Sequence, residues 1–333
     1  MVFVQLFFML IIILIAAEVF TNALEHLGEK LGISEGVTGS LFAAVGTALP
    51  ETMVPLLAIF AGTSNTTTNH EIGVGAILGA PLMLATLSIS LMAMSVWKRR
   101  GTNGHLRPER TGLTRDLNFF IAAFTVAAAA LYIPHENVVV RTLFSLMMVL
   151  IYVVYVWMTL SASRNLVDEG HATAAETPMF LNKLGLATNT YTIALQIILG
   201  LALLIAGAKG FINGVEEAST ILGISALMLS LLIIPIATEL PEKVNSVLWI
   251  RKGKDTLAFG NITGAMVFQG TLLPAIGISL TPWEPRQEVV WGIVITLIVA
   301  LWMRYLMAKG GIRVWHLLVN GAMYVTYLFI ALS

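Results

Sequence analysis

The pentapeptide Thr-x-Leu-Pro-Glu occurs twice in the chain, at residues 47–51 and 238–242. Each copy lies within a hydrophobic stretch that is long enough to cross a membrane. Ionisable side chains at membrane depth are costly and usually mark an ion or substrate pathway. The glutamates that end the two motifs, Glu51 and Glu242, are therefore candidate cation ligands.

The proline of each motif removes a backbone hydrogen bond from its helix. Pro50 and Pro241 have no amide hydrogen, so the carbonyl oxygen four residues earlier loses its donor. A broken membrane helix is tolerated only where protein, water or an ion fills the gap. Thr47 and Thr238 lie one helical turn before the glutamates and share their face. Carboxylates, hydroxyls and freed carbonyls together form a donor set that suits hard cations such as Ca²⁺ and Na⁺.

The second motif carries additional charge. Glu239 stands where the first motif has Ala48, and Lys243 where the first has Thr52. Glu239 is a further candidate ligand, and its repulsion by Glu242 favours a bound proton on one of the two. Glu239 and Lys243 have the favourable order for an i,i+4 ion pair. We hypothesise that Lys243 neutralises Glu239, or moves to Glu242 when an ion leaves; a lysine extended toward the cytoplasm is the alternative.

The repetition extends well beyond the two motifs. The two motifs are 191 residues apart, and the same offset superposes Asn22 on Asn213. These two asparagines could line an ion path or make interhelical hydrogen bonds. After a change in loop length, the glycine pair at 75–79 matches the pair at 260–264. Glycines at this spacing predict close helix packing. Duplication of an apolar chain is typical of transporters built from repeats, with the substrate bound near the membrane midplane.

The composition excludes an ordinary soluble domain. Of the 333 residues, 57% are hydrophobic and 11% are charged, whereas a soluble domain carries about 25% charged residues. The chain contains no cysteine, which excludes disulfides, thiolate metal sites and cysteine nucleophiles. The composition therefore indicates an integral membrane protein.

Hydrophobic runs of about 20 residues predict an all-α membrane protein with ten transmembrane helices. We expect two five-helix repeats, residues 1–161 and 187–333, joined by a cytoplasmic loop at 162–186. The predicted spans are roughly 2–24, 37–60, 72–96, 117–134, 139–161, 190–213, 226–250, 257–280, 289–308 and 314–332.

The distribution of basic residues predicts the orientation. Fifteen Lys and Arg residues lie in or next to the connections after spans 1, 3, 5, 7 and 9, whereas only Arg141 and Arg286 lie in or next to the other connections. Because basic loops stay in the cytoplasm, both termini are expected outside it. Five spans in each repeat then give the repeats inverted topology.

Two intramembrane charges occupy equivalent positions in the repeats. Glu18 in span 1 corresponds to Lys209 in span 6 by the same offset. Charged residues within a membrane usually pair, so the two could join these helices. The alternative is that both face water.

These residues resemble the membrane repeats of the Ca²⁺/cation antiporter superfamily, the sodium/calcium exchangers and their prokaryotic relatives. The resemblance is most specific at 43–81 and 234–269, where the hallmarks of the family are Gly-Thr-x-Leu-Pro-Glu and a later Gly-Asn-x-x-Gly run. It implies that Glu51 and Glu242 are the central Ca²⁺ ligands, with the hydroxyls of Thr47 and Thr238 beside them. It further implies alternating access, in which Ca²⁺ and Na⁺ or H⁺ use the site in turn while spans 1 and 6 slide.

The chain departs from the family pattern at several ligand positions. Ala48 and Glu239 stand where the family usually has Ser, and Pro81 and Met266 where it usually has Asn or Asp. Oxygen ligands of the exchangers' Na⁺ sites are therefore missing. The departures favour H⁺ coupling or an altered ion preference.

The predicted function is secondary antiport of Ca²⁺ against Na⁺ or H⁺, with no cofactor. The alternatives are a passive cation channel and a transport-inactive relative in which Lys243 replaces the bound cation. An enzyme is not supported, because His135 and Glu136 are not followed by a second His at the zinc-protease spacing. The expected partners are the lipid bilayer and inorganic cations, without nucleic acid, in a prokaryotic inner membrane; the oligomeric state stays open.

Overall fold

The computed structural model describes residues 1–30, 49–167 and 177–332, which are almost entirely helical. Long apolar helices satisfy every interior backbone polar group within one segment, as hydrocarbon requires. In chain order, α1 to α12 are Val2–Lys30, Leu49–Ala61, Thr66–Met83, Ile89–Arg100, Arg110–Ala130, Val138–Val167, Thr190–Leu222, Ala226–Thr238, Leu240–Arg251, Asp255–Leu280, Gln287–Lys309 and Val314–Leu332.

Three short elements complete the described chain. A π-helical turn, Leu84–Ser88, joins α3 to α4, and a 3₁₀ turn, Phe180–Leu184, precedes α7. Strand β1 (His105–Leu106) pairs antiparallel with β2 (Ile312–Arg313), which ties the loop after α4 to the loop before α12.

The expectation of an all-α membrane protein is confirmed. Among the described residues, eight helices are long and apolar enough to cross a membrane, and Glu51–Ala61 and Ala226–Ile236 are shorter apolar helices. The number differs from ten for two reasons. Predicted span 2 begins outside the described residues, and predicted span 7 is interrupted at Glu239.

The chain divides into two compact units that cut across the predicted repeats. Unit 1 consists of Met1–Asn69 and Leu160–Gly223, and unit 2 of His70–Thr159 and Ile224–Ser333. Each unit therefore takes segments from both halves of the sequence.

Within unit 1, glycines on α7 allow it to lie close to α1. A Cβ added at Gly200 would lie 3.0 Å from Phe20, and one at Gly214 would lie 2.8 Å from Leu6. As residue numbers rise along α7, those of the contacting residues on α1 fall, so the two helices are antiparallel. Gly207 lies between Gly200 and Gly214 and meets Ile12 and Ile13, so glycines contact α1 at every seventh residue of α7, about two turns of the helix.

Asn22 makes interhelical hydrogen bonds in unit 1. Its Oδ1 accepts from Gln196 Nε2 at 2.9 Å and from the Phe180 N–H at 3.2 Å. Its Nδ2 donates to Thr177 Oγ1 at 3.1 Å. Of the two roles considered for this asparagine, the structure therefore favours interhelical bonding, which satisfies a buried amide.

Within unit 2, the glycine pair on α3 packs against the backbone of α8, as its spacing predicts. A Cβ added at Gly75 would lie 2.6 Å from the Leu227 oxygen, and one at Gly79 would lie 2.4 Å from the Leu231 oxygen. The second pair differs, because a Cβ at Gly260 meets nothing within 4 Å in the described part of the chain.

Helix α10 is anchored at both ends. Near its start, Arg100 donates to both oxygens of Asp255 at 2.8 Å. At its far end, the buried guanidinium of Arg141 donates to the carbonyls of Ile278, Thr281 and Pro282. These bonds satisfy carbonyls that a helix end leaves without donors. The side chains in the middle of α10 are therefore held on a fixed helix.

Gly79→Ala should lower the free energy of unfolding by about 1–3 kcal/mol, because the added methyl group meets backbone rather than a movable side chain. Gly292→Ala is the matched control, since its Cβ would make ordinary contacts, the nearest at 3.6 Å to Tyr327. Thermal unfolding in detergent measures both variants. Equal midpoints for the two would contradict the close approach of α3 and α8.

Candidate cation site

The helix that carries the second motif is broken at Glu239. Helix α8 ends at Thr238, Glu239 has φ −84° and ψ 7°, and α9 begins at Leu240. Pro241 lies in the first turn of α9, where its missing N–H leaves no helical bond unmade. The break that the proline predicts in span 7 is therefore confirmed.

Glu239 is completely buried at this break. Its Oε1 accepts a 2.6 Å hydrogen bond from Gln269 Nε2 on α10, and both side chains are at most 1% exposed. Its Oε2 is buried and has no hydrogen-bond partner among the described residues. A buried carboxylate oxygen without a donor is costly, and a cation can compensate for the missing donor.

Glu242 lies in the first turn of α9 and is 4% exposed. An acidic residue is favoured there because the helix N-terminus carries partial positive charge. A carboxylate oxygen of Glu242 lies within 4.8 Å of one of Glu239. The turn is held from α10, since Asn261 Nδ2 donates to the Glu242 carbonyl at 3.1 Å and to Ser246 Oγ at 2.9 Å.

Lys243 is also buried, and its ammonium group reaches back to the end of α8. Its Nζ donates to the Pro235 carbonyl at 2.8 Å and is 3.5 Å from the Ile236 carbonyl. The predicted alternative, a lysine extended toward the cytoplasm, does not describe this arrangement. A positive charge at this position compensates in part for the burial of the Glu239 and Glu242 carboxyl groups.

Thr238 is 2% exposed and donates its hydroxyl proton to the Ile234 carbonyl at 3.1 Å. A hydroxyl has two lone pairs, so its oxygen can still act as an acceptor. Within unit 2, the structure therefore brings together the carboxylates of Glu239 and Glu242, and Thr238 immediately precedes Glu239 in the chain. Carboxylate and hydroxyl oxygens are donors that suit a hard cation.

Four of the predicted residues belong to unit 1. Glu51 lies in the first turn of α2 and is 3% exposed. Thr47 lies outside the described residues. Glu18 and Lys209 lie on exposed faces of α1 and α7, and no salt bridge joins them in the described ranges. The proposed pairing of these two charges does not occur in this structure.

Sequence reasoning missed Gln269 and did not give Asn261 a role. Both are amides within an otherwise apolar span, and Asn261 belongs to the Gly-Asn-x-x-Gly run. A buried amide in a membrane helix requires a partner, which is a usable signal. It does not identify that partner.

A family model described as sodium/calcium exchanger protein matches residues 1–161 and 192–333. The chain belongs to this family. The expected resemblance to the Ca²⁺/cation antiporters is therefore confirmed, and the protein is an integral, multi-pass membrane protein of an exchanger family. The family is one of transporters.

Individual proteins similar to this exchanger-family protein are consistent with the family assignment. It is 26% identical to CaxA of Alkalimonas amylolytica over 280 residues, which is 82% of this chain and 79% of the relative. Its fold matches the crystal structure of the H⁺/Ca²⁺ exchanger CAX with a TM-score of 0.72 at 17% identity, covering 98% of this chain and 82% of that one. The sodium-calcium exchanger NCX_Mj matches with a TM-score of 0.56 at 18% identity, covering 99% of both chains.

Gln269→Leu should lower the free energy of unfolding by about 1–3 kcal/mol, because it removes the donor to the buried Glu239 carboxylate. The loss should be smaller in a Glu239→Leu background, where no carboxylate needs that donor. Thermal unfolding of the two single variants and the double variant gives the coupling free energy. Strict additivity would show that the two side chains do not stabilise each other.

Proposed function

We propose that this protein is a secondary active antiporter that exchanges Ca²⁺ for Na⁺ or H⁺ by alternating access. The observation that carries the proposal is the buried pair Glu239 and Glu242 at a break in a membrane helix. In an exchanger-family chain, such carboxylates are best explained as ligands of the transported ion. The solved structure of similar fold named as an H⁺/Ca²⁺ exchanger supports Ca²⁺ as the substrate.

In this proposal, Glu51 and Glu242 supply the two carboxylates that neutralise one divalent ion, with the hydroxyls of Thr47 and Thr238 as further ligands. Sequence symmetry supports this assignment, because the two motifs repeat Thr, Leu, Pro and Glu at identical spacing. The similar burial of Glu51 and Glu242, 3% and 4% exposed, supports it as well. Hydrated Ca²⁺ gives up water only for strong oxygen donors, which these side chains provide.

We favour H⁺ as the counter-ion. Pro81 and Met266 replace oxygen ligands of the exchangers' Na⁺ sites, and Gln269 contributes a neutral amide beside Glu239. Fewer anionic oxygens disfavour several bound Na⁺ ions, whereas a carboxylate can bind a proton without further ligands.

We propose ten crossings in two inverted repeats, with both termini outside the cytoplasm of a prokaryotic inner membrane. The duplicated sequence and the basic loops support this topology. The antiparallel contact of α1 with α7, the first helices of the two repeats, is consistent with inversion. Their association in one compact unit supports a cycle in which they move together.

Ion flux in sealed proteoliposomes tests the proposal. An outward H⁺ or Na⁺ gradient should drive Ca²⁺ uptake against its own gradient, and Glu51→Gln or Glu242→Gln should reduce uptake at least tenfold by removing a ligand charge. Glu217→Gln, at an exposed position on α7, is the control and should leave uptake unchanged. Uptake that only follows the Ca²⁺ gradient would indicate a passive channel instead.

A second candidate function is a transport-inactive relative, and the position of Lys243 favours it. The ammonium group bonds to carbonyl oxygens at the helix break, where a transported cation would find ligands. In this case Lys243 acts as a permanent, covalently attached cation. Wild-type protein would then show no stabilisation by Ca²⁺.

Lys243→Met separates the two functions. If Lys243 competes with a transported ion, the variant should bind Ca²⁺ at least tenfold more tightly, because a nearby positive charge has been removed. Lys252→Met, an exposed position after α9, is the control. Isothermal titration measures both affinities. An unchanged affinity would exclude competition by Lys243, and tight Ca²⁺ binding by wild type would exclude the inactive relative.

A further inference from the structure

Unit 2 contains a second buried carboxylate, remote from the Leu-Pro-Glu motif. Asp116 lies six residues from the start of α5, about 9 Å along the helix axis. It is 5% exposed. An ionisable side chain at such a position in a membrane span calls for a function.

Asp116 accepts hydrogen bonds from two hydroxyl groups. Thr263 Oγ1 on α10 donates to Oδ2 at 2.7 Å, and Tyr155 Oη on α6 donates to Oδ1 at 3.1 Å. The hydroxyl-bearing residues are themselves buried, at 1% and 9% exposed. The carboxylate therefore joins three helices through side chains that can both donate and accept.

The Thr263 hydroxyl has a choice between two acceptors. It is 2.7 Å from Asp116 Oδ2 and 3.0 Å from the Phe259 carbonyl, yet it has a single proton. When Asp116 is ionised, that proton satisfies the carboxylate. When Asp116 binds a proton, Oδ2–H donates to Thr263 Oγ1, and the threonine proton turns to Phe259. Both protonation states are therefore satisfied without backbone movement.

A purely structural carboxylate in the same unit has different partners. Asp255 accepts from the Arg100 guanidinium at 2.8 Å and from the Arg107 N–H at 2.8 Å. Guanidinium and backbone N–H groups can only donate, so protonation of Asp255 would break its bonds. The hydroxyl partners of Asp116 can accept as well as donate, so they can bond to its protonated form.

Asp116 forms one salt bridge among the described residues. Arg115 Nε is 3.7 Å from Oδ1, and this ion pair includes no hydrogen bond. The other charged groups on the described elements packed against α5 have partners of their own. Glu288 pairs with Arg286, Lys309 lies over the Tyr305 ring, and Arg141 bonds to carbonyls at the end of α10. Asp255 on α10 bonds to Arg100, Arg304 on α11 bonds to Asn118, and Glu109 bonds to the first N–H groups of α5.

We propose that Asp116 is a proton-binding site, separate from the cation ligands, and that Thr263 relays its protonation state to α10. Proton uptake converts one carboxylate to a carboxylic acid, and the threonine proton rotates from Asp116 to the Phe259 carbonyl. Helix α10 also carries Asn261 and Gln269, which hold the Glu242 and Glu239 segments. Proton binding at Asp116 thus changes a hydrogen bond within the helix that carries Asn261 and Gln269.

Infrared difference spectroscopy of purified protein, titrated from acidic to alkaline pH without any transported ion, tests the proposal. The wild type should lose a protonated-carboxyl band that Asp116→Asn lacks at every pH. Asp255→Asn is the control and should retain the band. Spectra of wild type and Asp116→Asn that titrate identically would overturn the proposal. Because no Ca²⁺ is present, failure of the proposed antiport would leave this result unaffected.

Thr263→Val provides a second measurement that keeps the carboxylate. Loss of a donor to the ionised form should move the titration midpoint to higher pH by about one unit, a tenfold change in proton affinity. Thr271→Val, on the same helix, is the matched control, because the Thr271 hydroxyl bonds only within α10 among the described residues. If Asp116→Asn does not fold, identical midpoints for the two threonine variants would overturn the proposal.

Discussion

A membrane interior offers no water to a broken helix, and the structure of unit 2 follows from this constraint. Pro241 interrupts the helix that carries the second motif, and the gap contains Glu239, Glu242 and Lys243, all buried. Two carboxylates cannot remain at such a place unless donors and positive charge compensate for lost hydration. Gln269 supplies the donor, and the Lys243 ammonium supplies part of the charge. A transported cation would supply the remainder.

Helix α10 is the element through which these requirements are met. Arg100 holds its first turn through Asp255, and Arg141 caps its end. Between the two anchors, one set of side chains faces the helix break, and Thr263 bonds to Asp116 on α5. Fixed ends and a polar middle position the amides accurately. The same rigidity lets a change at Asp116 reach the cation site.

The two copies of the motif have diverged in charge while keeping their backbone signals. Thr, Leu, Pro and Glu are identical in both, whereas Ala48 and Thr52 correspond to Glu239 and Lys243. The shared residues keep one proline and one glutamate at the same spacing in each copy. The added glutamate and lysine have opposite formal charges, so the second copy gains one acidic and one basic side chain without a change in formal net charge.

Local features were predictable from the sequence, because each depends on neighbouring residues alone. The helical class, the break at Pro241 and the close packing at Gly75 and Gly79 all follow from composition, proline chemistry and spacing. The ten-helix topology stays a prediction, because predicted span 2 begins outside the described residues and predicted span 7 consists of two helices. The exchanger family also followed from motifs in the sequence.

Only the tertiary structure decided which polar groups meet. Gln269 and Glu239 are 30 residues apart, and Thr263 and Asp116 are 147 residues apart. It also decided that Lys243 turns toward Pro235 and that Glu18 and Lys209 lie exposed without forming a salt bridge in the described ranges. Helical periodicity assigns a residue to a face of its own helix, but the partner of that face depends on how helices pack. The sequence determined which chemical groups this protein has at membrane depth, and packing determined the bonds they make.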